Sequence, residues 1–177
     1  LMINKFIYTL FVLFFSIHVS GQNLVVQNPS FEGLPGVGIT PAPWTTCLDF
    51  FTPDTQPGFL SVTLPASDGL TYLGFFHRTT ASPYGIYSYW QEGASQELLD
   101  EFSGAPTPMQ AGQNYSFTID ITGYGVNPYY GAEYYSDLVE LEVYGGFLAC
   151  PETELLWSSG DTPDMDWTTY NVNFNPA

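Results

Sequence analysis

From Tyr115 to Thr122 apolar and polar residues alternate without a break, with Tyr115, Phe117, Ile119 and Ile121 on one parity and Ser116, Thr118, Asp120 and Thr122 on the other. A strand turns successive side chains to opposite faces, so a period of two predicts a strand with one core face and one wet face. The same period places Val139, Leu141 and Val143 inward with Glu140, Glu142 and Tyr144 outward. It also places Tyr170, Val172 and Phe174 inward with Asn171 and Asn173 outward. Short strands with one wet face belong to antiparallel sheets. Pro35-Gly36, Pro41-Ala-Pro43, Pro57-Gly58 and Ala111-Gly112 mark turns between such segments, and only Ala94 to Phe102 has room for a turn or two of helix. Many short strands separated by turns predict an all-β chain, a two-sheet antiparallel sandwich.

Residues 1–21 read as a signal peptide. Lys5 is basic, Phe6 to Val19 is an apolar run, and Val19-Ser-Gly21 supplies the small residues of a cleavage site before Gln22. The run is shorter than the roughly 17–25 apolar residues of a membrane span, so no membrane insertion is expected and the chain is expected to be secreted or held at the cell surface. Residues 22–177 have the size of one domain with a sizeable core. Leu1 precedes Met2, and the strand read near Asn171 to Pro176 has no closing strand after it, which predicts a β-sandwich domain truncated at its C-terminus.

The chain has two cations, Lys5 and Arg78, against 18 carboxylates, for a formal charge of −16. With Lys5 in the leader, Arg78 is the single cation of residues 22–177. Nucleic acid and anionic membranes are therefore disfavoured as partners, because both require clustered Lys and Arg. Neutral sugars and cations such as calcium are compatible with this charge. The two cysteines, Cys47 and Cys150, form an even pair in an exported chain and are expected to make one disulfide. Two free buried thiols are the alternative, and spacing alone does not establish that the two meet.

Three segments in order carry a family resemblance: Asn23-Leu-Val-Val-Gln-Asn-Pro-Ser-Phe-Glu-Gly33 followed by Trp44, Gly93 to Leu98 leading to Gly112 to Ile121, and Trp167 to Tyr170. Together they resemble the secreted carbohydrate-binding modules of the galactose-binding-like jelly-roll superfamily. The resemblance implies a jelly-roll sandwich lacking its last strands, with Trp44 and Trp167 in the core. It also implies a structural calcium near the first strand, with Glu32 at a position that supplies a ligand. Calcium takes about 6–8 oxygen ligands, and Glu32 alone is far short of that. The other account of Glu32 is a surface or turn carboxylate. The acidic turn Asp161-Thr-Pro-Asp-Met-Asp166 could coordinate calcium in a flexible loop but lacks the Asp-x-Asp-x-Asp-Gly pattern of an EF-hand, and it is read as a solvated turn.

Aromatic residues make up 18% of the chain. Sugar rings pack their C–H faces on aromatic faces while their hydroxyls need amide, carboxylate or phenol partners. Tyr124, Tyr129, Tyr130, Tyr134 and Tyr135 lie in a Gly- and Pro-containing loop where burying all of them is difficult, and they are the first candidate binding residues; Tyr84, Tyr87 and Trp90 are the second. Packing over the sandwich edge is the competing account of any single tyrosine. The outward row Asp120, Glu140, Glu142, Asn171 and Asn173 offers hydroxyl partners or is an ordinary solvated face.

Catalysis finds little support. His77 is the one histidine after the leader, and no Gly-x-Ser-x-Gly elbow or His-Glu-x-x-His helix occurs. Glu140 and Glu142 share one face of one strand, so they cannot flank a sugar from opposite sides as glycosidase carboxylates do. The expectation is a noncatalytic carbohydrate-binding module of an exported bacterial-type protein, with a glycan or polysaccharide as partner. The alternatives are an adhesin or surface-structural module that binds surface proteins, and an accessory module of an enzyme whose catalytic domain lies elsewhere.

Overall fold

The computed structural model describes residues 22–47, 53–60, 62–75, 78–81, 87–90, 92–123, 140–146, 150, 153–162 and 166–177, with the backbone alone at 78–81 and 87–90. All regular structure among them is β. The strands are β1 (Leu24–Val25), β2 (Thr45–Thr46), β3 (Asp54–Gln56), β4 (Tyr72–Gly74), β5 (Arg78–Ala81), β6 (Tyr87–Trp90), β7 (Ala94–Ser95), β8 (Leu99–Asp100), β9 (Tyr115–Ile121), β10 (Glu140–Gly145), β11 (Glu154–Asp161) and β12 (Thr168–Phe174). They pair as six two-stranded antiparallel ladders: β1 with β8, β2 with β7, β3 with β4, β5 with β6, β9 with β12, and β10 with β11. The all-β antiparallel expectation is met, in small ladders rather than in two continuous sheets among the described residues.

The longest regular ladder joins β9 to β12 with seven unshifted pairs, from Thr168 opposite Ile121 to Phe174 opposite Tyr115. Both strands shield every second residue at least partly, as their period of two predicts, and the buried Ile121 and Val172 lie on the shared inner face. Tyr115 stacks on Phe174 with ring centres 5.8 Å apart, and Phe117 meets the same ring edge-on. Trp157 of β11 packs edge-on against Tyr170 of β12 at 5.6 Å, which seats the β10–β11 ladder beside this core. In β10, Leu141 and Val143 are the more buried parity and Glu140, Glu142 and Tyr144 the exposed one.

The segment Ala94 to Phe102 departs from expectation. It carries strands β7 and β8 and no helical turn. Its backbone pairs with β2 and β1, and Gln96 brackets the backbone of Gln27, accepting from its N–H at 2.8 Å and donating to its carbonyl at 3.1 Å. Helix propensity over so few residues is a weak preference that these tertiary bonds override.

Cys47 and Cys150 form the expected disulfide, closing a span of 103 residues and fastening the end of β2 to the chain beyond β10. Such a bond is compatible with an extracellular location. Among the described residues no helix is long and apolar enough to cross a membrane.

Candidate functional site

The segment Asn28-Pro-Ser-Phe-Glu32 forms a knot of side chain to backbone bonds. Asn28, at φ 46°, accepts from the Glu32 N–H at 2.8 Å through its side-chain oxygen. Its side-chain nitrogen donates to the carbonyls of Glu32 and Ala42, both at 2.9 Å. Phe31 packs on Trp44 at 4.8 Å, and the Trp44 indole N–H donates to the Asn28 carbonyl at 3.0 Å. Phe31 itself is held at φ 56°, a left-handed conformation that a bulky residue adopts only where its surroundings fix it.

Glu32 reaches from this knot to the loop before β4. Its Oε1 accepts from the N–H groups of Leu70 at 2.8 Å and Thr71 at 3.1 Å. The buried Thr71 donates its hydroxyl to the Phe31 carbonyl and accepts from the Gly33 N–H, while Ser30 donates to Asp68 at 2.5 Å. The loop passes so close that a Cβ on Gly69, itself at φ 71°, would lie 2.0 Å from Glu32 Oε1. Glu32 therefore acts here as a cross-loop clamp. Among the described residues no group of three or more His, Cys, Asp or Glu gathers that could hold a metal ion.

The outward face of the β9–β12 ladder has a different character. Register sets Ser116 opposite Asn173, Thr118 opposite Asn171 and Asp120 opposite Thr169, and all six side chains are exposed. At one end Asp120 accepts from the hydroxyls of Ser67 and of Thr169, the latter at 2.6 Å. These two hydroxyls, Ser67 first, hold its carboxyl below the ordinary aspartate range. The loop carrying Ser67 is braced at the same end by Trp167, whose indole N–H donates to the Pro65 carbonyl at 2.9 Å, and by the edge-on contact of Trp167 with Tyr72 at 5.1 Å. Trp44 and Trp167, expected in the core, are both half-buried and both anchored through the indole to a loop carbonyl.

At the other end the ladder opens into a recess of about 470 Å³ lined by Asn114, Tyr115, Ser116, Asn173, Phe174 and Asn175. Asn175 donates to the side-chain oxygen of Asn114 at 3.0 Å, which orients both amides at the rim. The Tyr115 hydroxyl donates to Gln22 Oε1 at 2.6 Å and accepts from the Gln110 N–H at 2.8 Å, and the Gly112 N–H reaches the Pro176 carbonyl at 2.8 Å. The lining residues bring amides and hydroxyls and no charged group, while the stacked Tyr115 and Phe174 rings belong to the inner parity of the same strands. Such a set exchanges hydrogen bonds with polyhydroxylated neutral ligands.

Of the residues singled out in the sequence, Asp120, Asn171 and Asn173 meet on this one face. Glu140 and Glu142 lie on the separate β10–β11 ladder, where they accept from Ser158 and, at 2.8 Å, from Tyr144. Tyr124, Tyr129, Tyr130, Tyr134, Tyr135 and Tyr84 lie outside the described residues. Tyr87 and Trp90 pair through their backbones with Ala81 and Arg78 in β6 and β5. Sequence reasoning missed Asn114 and Asn175, whose joint position follows from the register of β9 on β12. No family model, curated protein or solved structure matches the chain.

Proposed function

We propose that residues 22–177 form a noncatalytic, exported carbohydrate-binding module on a jelly-roll frame, which holds a larger protein to a glycan. The observation that carries this reading is the β9–β12 face. Its outward residues are amides and hydroxyls in register with the Asp120 carboxylate at one end, and at the other it opens into an uncharged, amide-rimmed recess. Amides and hydroxyls match sugar hydroxyls, and the single cation of residues 22–177 makes a neutral glycan a better match than a polyanion. On the sequence, Tyr124, Tyr129, Tyr130, Tyr134 and Tyr135 are a second candidate contact set of the same chemistry.

A glycan array probed with and without calcium, using wild type, an Asn173→Ala/Asn175→Ala variant and a Tyr129→Ala/Tyr130→Ala variant, tests the reading. Binding to a defined neutral sugar class that the asparagine variant loses supports it. Calcium-independent binding would remove calcium from the account. Absence of binding by the folded protein to any glycan would overturn it in favour of an adhesin role. That second reading is favoured by Leu34 and Leu70, each 81% exposed, as apolar contacts for a protein partner.

A further inference from the structure

Apart from the β9–β12 face, residues 98–107 fold into a hairpin, with Leu99 bridged to Pro106 and the Thr107 N–H donating to the Leu98 carbonyl at 2.9 Å. Every backbone N–H from Asp100 to Ala105 has a partner within the protein. Asp100 donates to the Ala105 carbonyl, Glu101 to the Asn23 carbonyl, and Gly104 to the Asp100 carbonyl. Phe102 and Ser103 donate to Asp100 Oδ1 at 3.2 and 2.8 Å, and Ala105 donates to the Ser103 hydroxyl at 3.3 Å. The tip is thus fixed without any external partner. The Phe102 side chain is nevertheless 86% exposed.

A ring presented on a fixed turn needs little further ordering to be covered, and aromatic side chains bring large contact area with only two torsions. The tip's backbone donors are already engaged, so covering the ring strips no donor of its partner. Along the chain, Phe102 is neighboured by the carboxylates of Asp100 and Glu101 and the Ser103 hydroxyl, with no cation in the tip. An apolar face bordered by acceptor oxygens complements the C–H face and hydroxyl donors of a neutral sugar. A lipid surface fits poorly, because the same carboxylates would have to enter it.

The tip is also tied to the recess. Asn23 donates to Glu101 Oε2 at 2.8 Å, and the preceding residue, Gln22, accepts from the Tyr115 hydroxyl and donates to the Pro108 carbonyl at 2.9 Å. Two consecutive residues therefore join the hairpin to a residue of the recess lining.

We propose that Phe102 is a sugar-stacking contact on a preformed tip, engaging the same neutral glycan as the Asn114–Asn175 recess. The inference rests on the carbohydrate-binding reading above. Affinity electrophoresis of the full chain in gels containing a neutral β-glucan, a mannan, a galactan or a xylan, with alginate as the anionic contrast, tests both. Phe102→Ala is expected to weaken binding of the retained polysaccharide roughly tenfold with an unchanged melting temperature, and Phe102→Trp to preserve it. If Phe102→Ala binds like wild type while Asn173→Ala loses binding, the role of Phe102 is overturned and the glycan reading stands. If Phe102→Trp is lost as fully as Phe102→Ala, stacking is overturned. If wild type is retained in none of the gels, the glycan reading itself falls and this inference with it.

Discussion

The Glu32 corner and the β9–β12 face are built from similar polar residues put to opposite uses. At the corner, Asn28, Glu32 and Thr71 turn their side chains onto backbone groups and Ser30 donates to Asp68, and these bonds hold two loops together. On the ladder the backbone groups are already paired strand to strand, so Ser116, Thr118, Asn171 and Asn173 are not needed for that purpose and point outward. Irregular backbone leaves donors and acceptors that side chains must satisfy, whereas a regular ladder satisfies its own. The polar motif side chains of the corner are engaged with protein groups, while plain-looking strand residues are the ones left facing solvent.

The largest effect should come from the disulfide, which fastens the end of β2 to the chain beyond β10 and lies apart from the β9–β12 ladder. Replacing both cysteines, Cys47→Ala with Cys150→Ala, is expected to lower stability by about 2–5 kcal/mol in urea unfolding, given the long span it closes. Hydrogen exchange should then quicken in β2 and β7 before β9 and β12; uniform quickening would mean that the two regions unfold as one.

Next in size, Glu32→Ala removes two charge-assisted bonds to backbone N–H groups and should cost about 2 kcal/mol. Asn173→Ala should stay within about 0.5 kcal/mol of wild type, as an exposed residue away from caps and cores. Equal losses in the two variants would erase the distinction drawn between corner and face.

Titration separates two carboxyls by sign. Burial raises the Asp54 carboxyl above the usual aspartate range, against a lowering by the Gly38 N–H at 2.7 Å. A raised folded-state value means that the stability it contributes is fully present below the unfolded value and lost as pH rises through the folded one. Asp54→Asn should therefore match wild type near pH 3 and be the more stable protein at pH 7. Asp120 behaves in the opposite sense. Its carboxyl is lowered by Ser67 and Thr169, so its contribution is present above the unfolded value and disappears as pH falls through the folded one. Asp120→Asn should lose stability at pH 7 and converge on wild type in strong acid, by a smaller amount because the group is exposed. Urea midpoints at the two pH values check both signs.

Much of the strand structure was legible before any coordinates. The inward and outward parities of β9, β10 and β12 follow from alternation, and the acidic balance and paired cysteines follow from composition. Side-chain direction along a strand is fixed by local covalent geometry, so a single segment carries that information. Pairing is not local. Whether Ala94 to Phe102 becomes helix or strand depended on β1 and β2, and whether Asn173 meets Ser116 or another residue depended on the register chosen by the packed face around Val172. The same holds for the chemistry. The hold of Glu32 on the Leu70 and Thr71 backbone exists only once that loop is set against it, and Phe102 reads as one apolar residue among many until a fully bonded turn leaves it in solvent. Alternation and charge belong to the chain, but a clamp, a recess or an exposed ring exists only once distant segments have closed on one another.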